Sequence, residues 1–315
     1  MSKKTTISIV IILVLFVANE AQAAKDGYIL KRLARLEYGS GKDQIGLLDV
    51  PDIPRSGPES FWVNDKGEIY ICDTVNASIK QFSPDGKFLN EYPMGFNCSD
   101  LAVGEEGNLF VLDRSRRLLH QFTKDEKQAA VQLIDRQLME RADILSFSGN
   151  KLVMISVEQE EHEIGEFKDG KFLLLERTNS QGKKGIMGRK QTRFLTIKTH
   201  SKRGEIGILG KEGEIQKKIT LPVEQVASIV FLGQDDKGNF YIQVERTKAE
   251  GIGINLSVYC LDSEGSVDSV IENIPNNYLV WTAKLLQVNA NGDIYQVLPI
   301  REGVEINVWM RSKSK

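Results

Sequence analysis

Residues 57–92 carry a pattern that the chain writes again about 40 residues later, and this self-similarity constrains the fold more than any other feature. Four short runs rich in β-forming residues sit inside it: Phe61-Trp62-Val63, Ile69 to Cys72, Ile79 to Phe82, and Lys87 to Tyr92. Asn64-Asp65-Lys66-Gly67 and Ser83-Pro84-Asp85-Gly86 separate them as tight turns, with a glycine wherever a positive φ is needed. Asp73-Thr74-Val75-Asn76 breaks the middle, its polar side chains able to bond their own backbone. In the next copy Leu101-Ala102-Val103 replaces Phe61-Trp62-Val63, Gly107 replaces Gly67, Asp113 replaces Asp73, and Gln121-Phe122 replaces Gln81-Phe82, with no gap. Four antiparallel strands of this length make one blade of a β-propeller.

Weaker copies follow. Phe167 to Leu173 echoes Phe82 to Leu89, Asp236 to Ile242 echoes Asp65 to Ile71, and Val288 to Tyr295 echoes Val63 to Tyr70. Between them, residues 194–199, 205–209 and 214–220 supply strands around the turn at Lys211-Glu212-Gly213, which brings the total to about six units. The pattern beginning Pro58-Glu59-Ser60-Phe61, with Gly67, Ile69-Tyr70-Ile71, Asp73-Thr74, Asn76, Ile79 and Phe82, resembles the NHL repeat. Units 1 and 2 match it best, units 5 and 6 in part, and units 3 and 4 lack the Asp-Thr-x-Asn step. The resemblance implies an all-β, six-bladed propeller of four-stranded antiparallel blades, formed as a single domain by residues 24–315.

The last unit shows strands near 284–288, 293–298 and 304–310, and no fourth. A propeller must close or leave raw strand edges. Residues 29–38 are therefore read as the missing strand that joins the first blade to the last; the competing reading is an amphipathic helix with apolar residues at 29, 30, 33 and 36. The glycines of the stretch 38–46 do not make a phosphate loop, since no Gly-Lys-Ser/Thr and no strand–loop–helix context accompany them.

Residues 1–23 read as a signal peptide: Lys3 and Lys4, then a short apolar run, then the small-x-small step Ala21-Gln22-Ala23. The chain is thus expected to be exported, periplasmic or extracellular, and off the membrane after cleavage; the alternative is an uncleaved anchor. Losing Lys3, Lys4 and Glu20 moves the formal net charge only from −2 to −3. That near-balance argues against nucleic acid as a partner. A run of glutamates from Glu158 to Glu166 is followed by a basic stretch from Lys183 to Arg203, read as two solvated faces, with residues 182–188 as a mobile loop between blades.

Cys72, Cys98 and Cys260 are the only cysteines. Cys72 ends the second strand of unit 1 and Cys98 precedes the first strand of unit 2, at the same end of neighbouring blades. An oxidising compartment would allow a Cys72–Cys98 disulfide, against the alternative of two half-buried thiols. Cys260 reads as an inert core thiol.

Ligand chemistry on a propeller belongs where the channel opens. The loops before each first strand place Glu59, Asp100, Asp143, Gln191, Ser228 and Thr282 around one mouth. Glu59, Asp100 and Asp143 form a candidate site for a hard cation such as Ca²⁺, which takes several oxygen ligands and is similar in outline to the site of gluconolactonase-like propellers. The competing reading is a polar rim. A histidine zinc site, as in peptide-amidating lyases of propeller fold, would need His120, His162 and His200 to converge; His120 is expected inside a third strand, His162 in an acidic loop and His200 at the end of a second strand. No Gly-x-Ser-x-Gly elbow occurs, and the recurring Asp73 and Asp113 suit backbone capping. Two functions remain: a binding scaffold whose loop face takes a protein, peptide or glycan, or a metal-dependent hydrolase, lactonase or lyase at the channel mouth.

Overall fold

The structure is a computed structural model that describes residues 27–312, apart from 105–106, 124–127, 169–170, 176–181 and 249–252. The signal-peptide reading of residues 1–23 therefore lies outside the described residues. Six antiparallel sheets form a ring. Blade 1 consists of Phe61–Val63, Ile69–Asp73, Ser78–Phe82 and Phe88–Pro93, from the axis outward, and blade 2 of Asp100–Val103, Leu109–Asp113, Leu118–Phe122 and Gln128–Leu133. Blade 3 has Ala142–Ser148, Lys151–Ser156, Glu160–Lys168 and Lys171–Leu174, with Lys183–Lys184 added beside its third strand. Ile186–Met187, Arg193–Lys198, Gly204–Leu209 and Ile215–Thr220 make blade 4; Val226–Gln234, Phe240–Thr247, Ile254–Leu261 and Val267–Ile274 make blade 5. Blade 6 runs Gln287–Val288, Ile294–Ile300 and Gly303–Arg311, and its outermost strand is Tyr28–Leu36 from the other end of the chain. Tyr28 lies opposite Arg311 and Leu36 opposite Val304. On the solvent side of this pairing, Arg32 and Arg35 both hold Glu305.

Two features of the sequence reading change. Residues 182–188 are no loose connector: Lys183–Lys184 pairs with Glu160 and Glu161 of blade 3, and Ile186–Met187 is the inner strand of blade 4. Residues 193–198 are the second strand of blade 4, as the place of His200 implies, so Gln191 does not precede the inner strand. The first hairpin explains why. Gly67 (φ 78°), Gly107 (φ 83°), Gly238 (φ 91°) and Gly292 (φ 83°) take the left-handed position in blades 1, 2, 5 and 6, whereas in blade 4 that position is held by Gln191 (φ 62°). The bonds agree: the Gln191 N–H donates to the Gly188 carbonyl at 3.0 Å, as the Gly67 N–H donates to that of Asn64 at 2.9 Å. A helix of one and a half turns, Arg136–Arg141, leads into blade 3, with the Asp135 carboxylate accepting from the N–H groups of Gln137 and Leu138.

Five apolar clusters fill five seams between neighbouring blades. The seam of blades 6 and 1, for instance, holds Leu36, Phe61, Val63, Ile71, Val297 and Ile306. Others join blades 1 and 2, 2 and 3, 4 and 5, and 5 and 6. The seam between blades 3 and 4 is bridged by polar groups. The Gln159 amide donates to the Thr196 carbonyl and accepts from both the Thr196 N–H and hydroxyl, each at 2.8 Å. Glu161, buried, pairs with Arg193 at 2.7 Å and accepts the Met187 N–H at 2.8 Å. At this residue the acidic run is therefore not a solvated face.

Asp73 and Asp113 cap the second hairpin of their blades: Asp73 accepts from the Asn76 amide (2.8 Å), and Asp113 from the Arg116 N–H (3.1 Å) and the Ser115 hydroxyl (2.6 Å). Asp73 also accepts the Gly46 N–H at 2.9 Å, which pins the stretch 38–46 onto blade 1. Cys72 and Cys98 are joined as a disulfide between blades 1 and 2, with Cα atoms 5.6 Å apart. Cys260 is a buried free thiol, pushed up to about 11 by burial.

Candidate functional site: the central channel

The inner strands surround a channel of about 1460 Å³ lined from all six blades. Its two mouths are built differently. At the turn mouth, where the first hairpin of each blade folds back, the loops hold themselves. Asn64, Asp235 and Asn289 each accept backbone N–H groups two and four residues on, at 2.8–3.0 Å. From blade 4, Arg189 reaches Asp65 of blade 1 with two hydrogen bonds, at 3.1 and 2.5 Å. Blades 1 and 4 stand opposite each other in a ring of six, so this ion pair spans the mouth.

At the start mouth, where the inner strands begin, the blades meet on Asp100. Its carboxylate is fully buried and accepts the Ser60 hydroxyl of blade 1 at 2.5 Å and the Leu145 N–H of blade 3 at 2.6 Å. Lys284 of blade 6 lies 2.8 Å from Asp100 Oδ1, donates to the Leu101 carbonyl at 2.8 Å, and sits 4.9 Å from the centroid of the Trp62 ring. Burial pushes the pKa of Lys284 down, against the pull of Asp100. Four blades are thus tied through one carboxylate.

The residues singled out from the sequence divide accordingly. Asp100 opens the inner strand of blade 2 and holds an ammonium where a metal would sit. Glu59 contributes its carbonyl, accepting from the Ala283 N–H at 2.7 Å and the Thr282 hydroxyl at 3.1 Å; its carboxyl is half-buried and raised by burial. Asp143 is in the inner strand of blade 3, and its side chain lies outside the described residues. Ser228 and Thr282 lie at the start mouth, Ser228 as the third residue of its inner strand. Gln191 does not join them: it belongs to the first hairpin of blade 4, at the opposite mouth, because the inner strand precedes it. Among the described residues no three His, Cys, Asp or Glu side chains group to hold a metal.

The histidines are spread over three blades. His120, in the third strand of blade 2, stacks on Phe96 at 3.9 Å and has its pKa lowered by burial. His162 is not in a loop but in the third strand of blade 3, buried, 3.8 Å from Glu160. His200 is exposed in the turn after the second strand of blade 4.

Sequence reasoning missed three residues of the channel: Lys284, Trp281 and Glu245. Trp281 is 65% exposed beside the channel, in the connection into blade 6. Val157, 80% exposed, stands on the second hairpin of blade 3. No local pattern marks these positions; their meaning comes from where the ring places them.

No family model matches the sequence, and no curated protein matches it. Among solved structures the chain is similar to Hsv2 of Kluyveromyces lactis, with a TM-score of 0.50 and 9% identity over 78% of this chain and 91% of that one. It is also similar to virginiamycin B lyase from Staphylococcus aureus (TM-score 0.46, 14% identity, 84% and 98% covered) and to a member of the duf4221 family from Bacteroides vulgatus (0.45, 9%, 90% and 98%). At such identities the likeness is one of fold.

Proposed function

We propose that this propeller is an exported binding module of NHL type that takes a segment of a partner protein or peptide on its start-mouth face. The observation that carries the reading is the company of exposed large apolar side chains on that face. Trp281 and Val157 rim the channel, and Leu48, Val50, Ile53 and Val75 stand on and beside the segment that Asp73 pins over blade 1. Exposed apolar groups gathered on one functional face favour a docking role, and aromatic anchors dominate such contacts. Only Trp281 among them offers a ring on which a sugar could stack, so the set as a whole favours a peptide over a glycan. The Arg189–Asp65 pair across the other mouth supports approach from the start mouth.

Export rests on the basic, apolar and small-x-small order of residues 1–23, and the NHL assignment on units 1 and 2. Among the described residues no helix is long and apolar enough to cross a membrane. The second reading, a metal-dependent hydrolase, lactonase or lyase using Glu59, Asp100 and Asp143 with Ca²⁺, requires Asp100 to give up Lys284 and its two hydrogen bonds.

Capture on the immobilised protein, from the periplasmic fraction and from the medium, tests the proposal. A partner retained by the wild type and lost with both Trp281→Ala and Val157→Asp is the expected result. Retention unchanged by either substitution defeats it. A stoichiometric divalent ion in the purified protein, lost with Asp100→Asn while the fold is kept, would move the function to the second reading.

A further inference from the structure

Blade 5 turns one face toward blade 6, and that face carries an acid that makes no ion pair among the described residues. Its second strand presents Tyr241, Gln243 and Glu245 on this side, while Phe240, Ile242 and Val244 pack toward blade 4. Glu245 pairs in register with Ser228 of the inner strand, and Gln243 with Val230. All four line the channel. Among the described residues, the one polar contact of the half-buried Glu245 carboxylate is the Gln243 amide, at a long 3.4 Å. Gln243 is itself 5% exposed. Other deeply placed acids are satisfied: Asp100 has Lys284, Asp113 has Arg116, Glu161 has Arg193, Glu305 has Arg32 and Arg35, and Asp235 accepts from the Lys237 and Asn239 N–H groups and the Tyr241 hydroxyl. Among the described residues, no basic side chain lies within ion-pairing distance of Glu245. Burial accordingly raises its carboxyl above the ordinary range.

The surroundings are shaped to take something. Glu245, Tyr278 and Leu285 also line a second cavity beside the channel, of about 370 Å³, together with Lys248. Lys248 keeps that side cationic, so a positive group would reach Glu245 from the channel. Tyr278 is anchored, donating to the Leu285 carbonyl at 3.0 Å and accepting from Gln296 at 3.0 Å. The channel wall beyond is apolar, with Val230, Val280 and Trp281.

We propose that Glu245, Gln243 and Ser228 form a pocket in the channel wall for a primary ammonium or guanidinium carried on an apolar stem. The carboxylate supplies the counter-charge, the Gln243 carbonyl and the Ser228 hydroxyl accept further N–H groups, and the stem lies along Val280 and Trp281. The same chemistry is offered by a small free amine and by a lysine or arginine side chain of a docked peptide. The pocket deepens the docking proposal above and rests on it only in taking the channel as a place of binding.

Calorimetric titration of the purified full chain tests it with hexylammonium, hexanol and hexanoate. Hexylammonium is expected to bind at least about tenfold more tightly than the other two, the scale of a charge-assisted contact. Glu245→Gln is expected to reduce it to the level of hexanol without loss of thermal stability, whereas Glu272→Gln, an acid outside the channel, changes nothing. A blocked pentapeptide with a central lysine, compared with its norleucine version, separates the sources. Preferential binding of the lysine peptide assigns the pocket to a partner's side chain, and binding of hexylammonium alone assigns it to a small amine. Equal affinity for hexylammonium and hexanol, a preference that survives Glu245→Gln, or no binding of any probe overturns the pocket. These probes need no native partner, so such an outcome leaves the docking face to the capture experiment.

Discussion

The seam between blades 6 and 1 and the seam between blades 3 and 4 face the same packing task with opposite chemistry. The first is filled by Leu36, Phe61, Val63, Ile71, Val297 and Ile306. The second is held by Gln159 on Thr196 and by Glu161 on Arg193 and Met187. Apolar burial is non-directional and scales with area, so the first seam contributes most of its stability through removal from water. Hydrogen bonds contribute less net energy but demand one geometry, so the second seam sets how blade 4 sits against blade 3 more than how strongly it is held. One ring thus contains joints that are strong and tolerant and a joint that is weaker and exacting.

The largest expected effect falls on the apolar joint. Phe61→Ala should cost about 3–5 kcal/mol in chemical denaturation, through lost burial and the cavity left behind. A loss below about 1 kcal/mol would mean that the seam repacks and that the contrast is overstated. Next comes Arg193→Ala, which strands Glu161 in the polar joint and should cost about 3 kcal/mol. The sharper form is the pair Glu161→Leu with Arg193→Met, expected to restore most of that loss, since buried ion pairs replaced by apolar groups are often neutral in stability. If the double variant is as unstable as the single one, the polar joint holds by strength and not by geometry. Hydrogen exchange should show Arg193–Lys198 opening before Ile69–Asp73 in the wild type.

The solvent side of the closing pair offers a smaller, pH-dependent effect. Burial would raise the Glu305 carboxyl, but Arg35 and Arg32 more than reverse this and hold it below its ordinary value of 4.5. A depressed carboxylate stabilises the fold above its unfolded pKa and loses that contribution as pH falls through the folded one. Glu305→Gln should therefore cost about 1 kcal/mol at neutral pH, because the arginines are partly exposed, and the gap from wild type should vanish in melts run well below pH 4.5. The smallest effect is a gain. Gln191→Gly relieves a left-handed conformation on a non-glycine residue and should add about 0.5 kcal/mol, read as a small rise in Tm.

The same contrast decides what was legible in the sequence. Blades 1 and 2 were readable strand by strand because Gly67 and Gly107 mark their first hairpins and the second copy repeats the first with no gap. Blade 4 was not. Ile186–Met187 has two residues, too few for any periodicity, and the glycine that marks the first hairpin elsewhere is replaced by Gln191. The reading therefore missed this inner strand and moved Gln191 to the wrong mouth. Asp100 was placed correctly, but its partner Lys284 lies in blade 6, and no spacing along the chain links the two. Glu245 was hidden for the opposite reason: it is distinguished by the base it lacks.

One consequence follows from the sheet shared by Tyr28–Leu36 and Gly303–Arg311. A ring fastened by these two strands cannot be completed before Gly303–Arg311 has been delivered. Until Arg311 emerges, Tyr28–Leu36 has no neighbour and blade 6 offers an open edge, so truncated products remain unlatched and exposed to proteases. The fastening makes closure depend on Gly303–Arg311, and chains that stop short of it are expected to be digested faster than chains that include it.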